Sequence, residues 1–275
     1  MTNAFITKGI IDNLINIMSI AAQQSSHNES GVTDIGGSLH YYSGCEFPFF
    51  NGVFNNYKHD KLAINDNLDP VIDFYNAKNR PFIWWWTEPA EIPEDIQADL
   101  NSKGFHFLGD FLGVAAKLDE IKFAPINNKI ETGEVTTPKE YEIFLTIMCD
   151  VFQMSESIKA DLREMYNAYG PAGKFKHYIG YYAGEPVSTL TAYIDGALVG
   201  LYNGATLPQF QKNGLCGALA HTAIKDAMAL KCEYAVSQLM ATAMAKGLSE
   251  QMGSKTYCLL RPFLKEPQKN TISRI

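Results

Sequence analysis

A chain of 275 residues with 46% apolar and 19% charged positions holds enough hydrophobic material for a large core, which excludes a disordered or fibrous protein and suits two domains of ordinary size. Lys and Arg number 23 against 30 Asp and Glu, a formal net charge of -7 that argues against nucleic acid or an anionic membrane as the main partner. Cys45, Cys149, Cys216, Cys232 and Cys258 form no C-x-x-C pair and have no histidine at metal-ligand spacing, which points to a reduced, cytoplasmic protein with no metal.

The first element is a helix carrying Phe5, Ile6, Ile10, Ile11, Leu14 and Ile15. Asp12, Asn13 and Asn16 interrupt its apolar run, so it reads as amphipathic and not as a signal peptide or membrane span. Residues 23–45, rich in Ser, Gly, Asn and His, predict a loop or a short strand edge near Leu39 to Tyr42. Phe49, Phe50, Val53 and Phe54 around Asn51-Gly52 predict a strand, and Asp69-Pro70 opens a helix through Val71, Ile72, Phe74 and Tyr75. The run Phe82 to Trp86 predicts a buried strand whose middle tryptophan faces opposite to its neighbours, and it suits an inter-domain core better than a ligand cage. A helix from Pro93 to Gly104 and a strand pair from Phe105 to Leu118 follow. The polar, turn-prone stretch Ile121 to Lys129 reads as a linker, which gives domains 1–124 and 130–275.

In the second half Pro138 opens a helix with Tyr141, Phe144, Leu145, Met148 and Phe152 at helical spacing, and Ser155 opens another. Gly170 to Gly173 stops it. His177 to Tyr182, Val187 to Ile194 and Ala197 to Thr206 are three strands of an antiparallel meander, separated by Gly184-containing and Asp195-Gly196 turns. A loop, Gln211 to Gly217, leads into a helix through Leu219 and Leu230. A strand from Tyr234, a helix near Ala243 to Met252 and a strand from Thr256 to Leu260 complete a mixed α/β (α+β) order, ααβββαβαβ.

The loop Gln211-Lys212-Asn213-Gly214-Leu215-Cys216-Gly217 sits where a strand hands over to a helix, and free backbone N–H groups there favour an anion. It is neither a P-loop nor a G-x-G-x-x-G. Taken alone, such a loop is more often a plain turn.

Its context resembles the acyl-CoA site of the GNAT superfamily of N-acetyltransferases: Ala205-Thr206-Leu207-Pro208 leads into Gln211-x-x-Gly214-x-Cys216, within a matching element order over residues 130–265. Cys216 stands where that family usually has Gly or Ala. The resemblance implies that backbone groups of Gly204, Ala205 and Thr206 pair with a pantetheine arm. It also implies that those of Lys212, Asn213, Gly214, Leu215, Cys216 and Gly217, introduced by Gln211, hold a pyrophosphate, and that Thr242 touches the arm. Residues 1–124 resemble a degenerate half of the same kind, whose counterpart loop, Lys58 to Lys61, carries no glycine. Two GNAT-like mixed-sheet domains with one acyl-CoA site are the expectation.

Acetyl transfer to an amine needs a neutral nucleophile, a fixed N–H for the oxyanion and a proton for the thiolate. Relatives place a Tyr acid where this chain has Ser249, and no carboxylate lies on the strand Ala197 to Thr206. Tyr202, Asn203 and Ser249 are the catalytic candidates; Ser237, Tyr257 and Cys258 are candidate pocket lining, and His177 and His221 have no assignable partner. Glu156, Asp161, Glu164 and Tyr166 would face a cationic acceptor. The expected activity is acetyl-CoA-dependent N-acetylation of a small-molecule or peptide amine by direct attack in a ternary complex. The alternative is a non-catalytic CoA-binding or protein-interaction module on the same scaffold.

Overall fold

Residues 2–35, 38–55, 68–87, 94–169, 174–242 and 249–267, with Ile92 and Gly247, are described in the computed structural model. They fall into two units, each drawing on both ends of the chain. The C-terminal unit joins Met1–Ile17 to Leu112–Cys258, and the N-terminal unit joins Met18–Phe111 to Leu259–Ile275. This differs from a linear split into 1–124 and 130–275. The reason is packing: the first part of helix α1 (Asn3–Gln24) serves the C-terminal unit, where Ile6, Ile10, Asn13 and Leu14 are buried. There Gln238 Nε2 donates to the Ile10 carbonyl at 2.9 Å, and Thr7 Oγ1 donates to the Tyr257 carbonyl at 3.4 Å. By length and composition alone α1 passes for a membrane span, yet Ile6, Ile10, Ile11, Leu14 and Ile15 are buried in the fold.

In the N-terminal unit the stretch expected to be mostly loop forms two antiparallel strands, β1 (Gly31–Ile35) and β2 (Ser38–Tyr42), the latter buried along its length. Strand β3 (Asn51–Asn55) pairs antiparallel with β2 and parallel with β4 (Phe82–Trp86), across helix α2 (Leu68–Ala77). Helix α3 (Glu94–Ser102) and strand β5 (Phe105–Phe107) follow. The strand closing the chain, β12 (Lys255–Lys265), pairs antiparallel with both β4 and β5 through the residues that belong to this unit.

Strand alternation sends the tryptophans to opposite faces. Trp84 and Trp86 join Tyr75, Phe82 and Phe105 in one cluster, while Trp85 stacks on Phe54 at 5.9 Å and donates Nε1–H to the Tyr41 hydroxyl at 2.9 Å. These partners all lie in the N-terminal unit, so the run is core of that unit; the inter-domain role expected from sequence is corrected.

Asn51 is wholly buried and clips three segments together. Its Oδ1 accepts from the backbone N–H of Ser43 and Gly44, and its Nδ2 donates to the carbonyls of Cys45 and Pro81. Asn51→Leu would leave those groups buried without partners, a loss of about 3–5 kcal/mol at roughly 1–3 kcal/mol per stranded group with partial relaxation. Urea unfolding followed by tryptophan emission reads the loss, and an unchanged midpoint contradicts it.

In the C-terminal unit strands β6 (Phe111–Lys117, from Leu112 in this unit), β7 (Ile130–Glu134), β8 (Phe175–Tyr182), β9 (Glu185–Asp195), β10 (Leu198–Thr206) and β11 (Tyr234–Met240) lie in the order β6-β11-β10-β9-β8-β7. Strand β7 precedes the two helices and extends the expected order by one element. Its sequence, Ile-Glu-Thr-Gly-Glu, buries only Ile130 and gives no alternation to detect. Helix α4 (Pro138–Phe152) starts at Pro138 as expected and opens with a capping box between Thr137 and Glu140, and α5 (Glu156–Tyr169) packs against it. Helix α4 covers one sheet face with Tyr141 and Phe144 over His177. Helix α6 (Leu215–Ala229) covers the other, with Leu219, Ile224 and Ala227 against Tyr178 and Val199. The Gly170 to Gly173 stop, most of residues 243–248 and the Lys58 to Lys61 counterpart loop lie outside the described residues.

Candidate functional site

The site begins where two parallel strands stop pairing. Strands β10 and β11 are in register only from Leu198, Val199 and Gly200 to Tyr234, Ala235 and Val236. Strand β10 continues to Thr206, held on its other side by β9. Ser237 Oγ donates to the Leu201 carbonyl at 3.0 Å, bridging the two strands just past the last paired residues. Beyond it, among the described residues, the β11-facing edge of β10 has no strand ladder.

A bulge sets the direction of that edge. Tyr202 is opposite Thr191 and Ala205 is opposite Thr189, so Asn203 and Gly204 together face Leu190. Asn203 takes the left-handed region with φ 52°, which asparagine tolerates better than most side chains. Thr189 Oγ1 donates to the Asn203 carbonyl at 3.0 Å and Asn203 Nδ2 donates to Thr191 Oγ1 at 3.1 Å. The Leu207 N–H bonds to the Val187 carbonyl and the Ala205 carbonyl accepts from Ser188 Oγ at 2.7 Å. Alternation therefore turns Gly204 and Thr206, and not Ala205, toward the open side.

The loop after β10 folds on itself. Gln211 Nε2 donates to the Thr206 carbonyl at 3.2 Å and Asn213 Nδ2 to the Phe210 carbonyl at 3.0 Å. Lys212 and Gly214 have φ of 64° and 90°, and Gly214 caps α6 without a side-chain hydrogen bond. Leu215 anchors the first turn against Ile130, Val187 and Ala218. Gly217 has no atom within 4 Å of where a Cβ would sit, and the first turn of α6 carries no acidic residue. Free N–H groups, helix dipole and an uncovered surface together fit a phosphate group at Gly214, Leu215, Cys216 and Gly217. Cys216 is half-buried and burial pushes its thiol pKa up, so it contributes size and no charge.

The three catalytic candidates part company. Asn203 is exposed at the bulge. Tyr202 points to the α4 face, where its hydroxyl donates to Asn13 Oδ1 at 2.6 Å, and burial raises its pKa well above the usual phenol range. Ser249 is buried. Thr242 is exposed after β11, its N–H on the Met240 carbonyl. Cys258 packs against Gly113, and a Cβ on that glycine would fall 2.3 Å from the sulfur. On α5, Glu156 and Glu164 are exposed and Asp161 is half-buried; the side chain of Tyr166 lies outside the described residues. His221 stacks on Phe123 at 4.3 Å. A cleft of about 380 Å³ beside the end of β10 is lined by Ile143, Ile147, Pro186 and Leu207, with Glu142 and Asp150 among its polar walls.

Sequence reading missed Asn13, Thr189, Thr191 and Gln238. The pattern Ser-Thr-Leu-Thr in β9 holds a signal: two threonines two apart share one sheet face. Burial lowers the pKa of His177, and that of His40 in the N-terminal unit, from 6.5 to about 4. Both are neutral in the folded protein at neutral pH, so between pH 6.5 and 4 the unfolded chain binds more protons. Stability is therefore complete above pH 6.5 and falls as pH drops, by up to about 1.4 kcal/mol per pH unit for each histidine. Urea midpoints at pH 7.5 and 5 measure it; equal midpoints contradict the burial.

No protein-family model and no curated protein matches the chain. Solved structures do. A GCN5-related N-acetyltransferase from Kribbella flavida aligns over 98% of this chain and 97% of its own with 14% identity and a TM-score of 0.67. A conserved protein of unknown function from Staphylococcus epidermidis aligns over 86% of this chain and 93% of its own, with 12% identity and a TM-score of 0.69. A tandem GNAT protein from the clavulanic acid biosynthesis pathway aligns over 94% of this chain and 95% of its own, with 10% identity and a TM-score of 0.60. The chain has the fold of tandem GNAT proteins.

Proposed function

We propose that the C-terminal unit is an acetyl-CoA-dependent N-acetyltransferase acting on a small-molecule or peptide amine by direct attack in a ternary complex. The observation that carries this reading is the premature end of the β10–β11 ladder, coupled to an uncovered helix N-terminus at the end of the same strand. Acetyl-CoA supplies the acetyl group as an activated thioester. In this reading Gly204 and Thr206 offer backbone groups to the pantetheine arm. The amides from Gly214 to Gly217 hold the pyrophosphate, Thr242 lies along the arm, and Asn203 faces the acceptor. Tyr202 keeps its proton on Asn13 and shapes the sheet face behind the bulge.

Titration calorimetry of the whole protein with acetyl-CoA and with CoA, followed by a free-thiol assay over an amine panel, tests the reading. Micromolar binding and amine-dependent thiol release are expected. Absence of binding by folded protein removes it. Binding without thiol release leaves the second reading, a CoA-binding module without turnover, which the engaged Tyr202 hydroxyl and the buried Ser249 favour.

A further inference from the structure

The side chains that hold the β10 bulge lead back to a buried imidazole. Asn203 Nδ2 donates to Thr191 Oγ1 at 3.1 Å, and Thr191 Oγ1 lies 2.9 Å from His177 Nδ1. Strand register makes the row continuous, since His177 is opposite Thr191 and Thr191 is opposite Tyr202. Thr191 is 1% exposed and His177 is 7% exposed, on the sheet face that α4 covers. The second imidazole nitrogen, Nε2, is buried with no hydrogen-bond partner. Around the ring stand Phe144 and Tyr141, with centroids 4.8 Å and 5.4 Å away, tilted 56° and 51°.

These contacts fix the direction of the hydrogen bonds. The asparagine amide nitrogen only donates, so Thr191 Oγ1 accepts from Asn203. Among the described residues the buried Thr191 hydroxyl hydrogen has no acceptor other than His177 Nδ1, so a bare Nδ1 pairs it and a protonated Nδ1 would strand it. Nε2 therefore carries the proton, Nδ1 accepts, and the Thr191 hydroxyl hydrogen points at His177. The order is Asn203 to Thr191 to His177, each member with one defined role.

We infer that Thr191 and His177 are positioning residues of the proposed acyl-CoA cleft, holding Asn203 in its left-handed bulge so that Gly204 and Thr206 face the opening. This inference rests on the acetyl-CoA reading of that cleft. With Thr191 unable to accept, Asn203 loses its side-chain tie. Side-chain support of Asn203 is then reduced to the Thr189 bond to its carbonyl.

Calorimetry with CoA on the full chain, with Thr191→Val, Thr191→Ser and Asn203→Gly, tests it. Thr191→Val is expected to weaken CoA binding about tenfold, the effect of one buried hydrogen bond, and Thr191→Ser to restore it to within about twofold. In the Asn203→Gly background Thr191→Val is expected to change binding by less than about twofold, because glycine takes the same φ without a side-chain tie. Nitrogen-15 NMR of the wild-type protein is expected to show His177 protonated at Nε2 and not at Nδ1, a readout that stands even where Thr191→Val fails to fold. CoA binding by Thr191→Val equal to wild type, or an Nδ1-protonated His177, overturns the inference and leaves the cleft reading standing. A wild-type protein that binds no CoA overturns the cleft reading itself, and the functional role with it.

Discussion

Gly217→Glu is expected to weaken CoA binding at least about a hundredfold while leaving the protein as stable as wild type or slightly more so. The two effects separate because the position is open: no atom stands within 4 Å of a Cβ there, and the residue lies in the first turn of α6. A glutamate in a first helical turn interacts favourably with the helix dipole and replaces a poor helix former, worth about 0.5–1 kcal/mol each. Toward a pyrophosphate the same carboxylate is repulsive. Two unit charges 4 Å apart at an effective dielectric of about 20 cost about 4 kcal/mol, and screening reduces that to the two to three decades of affinity expected. Gly217→Ala separates charge from bulk and should retain binding to within about threefold. Gly214→Glu is also expected to abolish binding, but φ of 90° there adds backbone strain, so its stability falls too. Wild-type affinity in Gly217→Glu, with the fold intact, would remove the pyrophosphate from this loop.

Removal of residues 1–17 is expected to unfold the C-terminal unit, although the cut lies far from it in sequence. Ile6, Ile10 and Leu14 are each at most 3% exposed there. At about 1.5–3 kcal/mol per buried side chain they contribute about 5–9 kcal/mol, comparable with the whole stability of an ordinary domain. Asn13 leaves with them, stripping the Tyr202 hydroxyl of its acceptor, and Gln238 loses the Ile10 carbonyl. Far-UV circular dichroism of chains 18–275 and 130–275 during urea unfolding is the measurement. Neither should show the cooperative transition of the C-terminal unit seen in the full chain. A chain 130–275 with the full-length midpoint would restore the linear division at residues 124 and 130.

Most individual elements could be read from the sequence, because the signals that set them lie within a few residues. Pro138 starts α4, Asp195-Gly196 turns β9 into β10, and Phe82 to Trp86 with three tryptophans has no choice but a buried strand. The loop from Gln211 to Gly217 was legible for the same reason, since a strand exit, a small-residue turn and a helix start occupy one contiguous stretch. Strands β7 and β1 escaped, the first because one buried residue makes no pattern, the second because the Gly, Ser and Asn around it mask a strand that pairing with β2 stabilises.

The site beyond the loop was decided elsewhere. Tyr202 looks like a catalytic phenol in the sequence, and it is Asn13, 189 positions away, that takes up its hydroxyl. A Cβ on Gly200 would fall 2.0 Å from that asparagine's Oδ1, so the glycine is required by a partner no local window contains. The sequence by itself determined most of the order of elements, the turns and the strand-to-helix loop from Gln211 to Gly217, since backbone sterics and hydrophobic periodicity act over a few residues. Which half of the chain α1 serves, which strand edge stays open, and which side chains hold the bulge were settled by burial and hydrogen bonding between distant segments. Those energies exist only once the chain is packed.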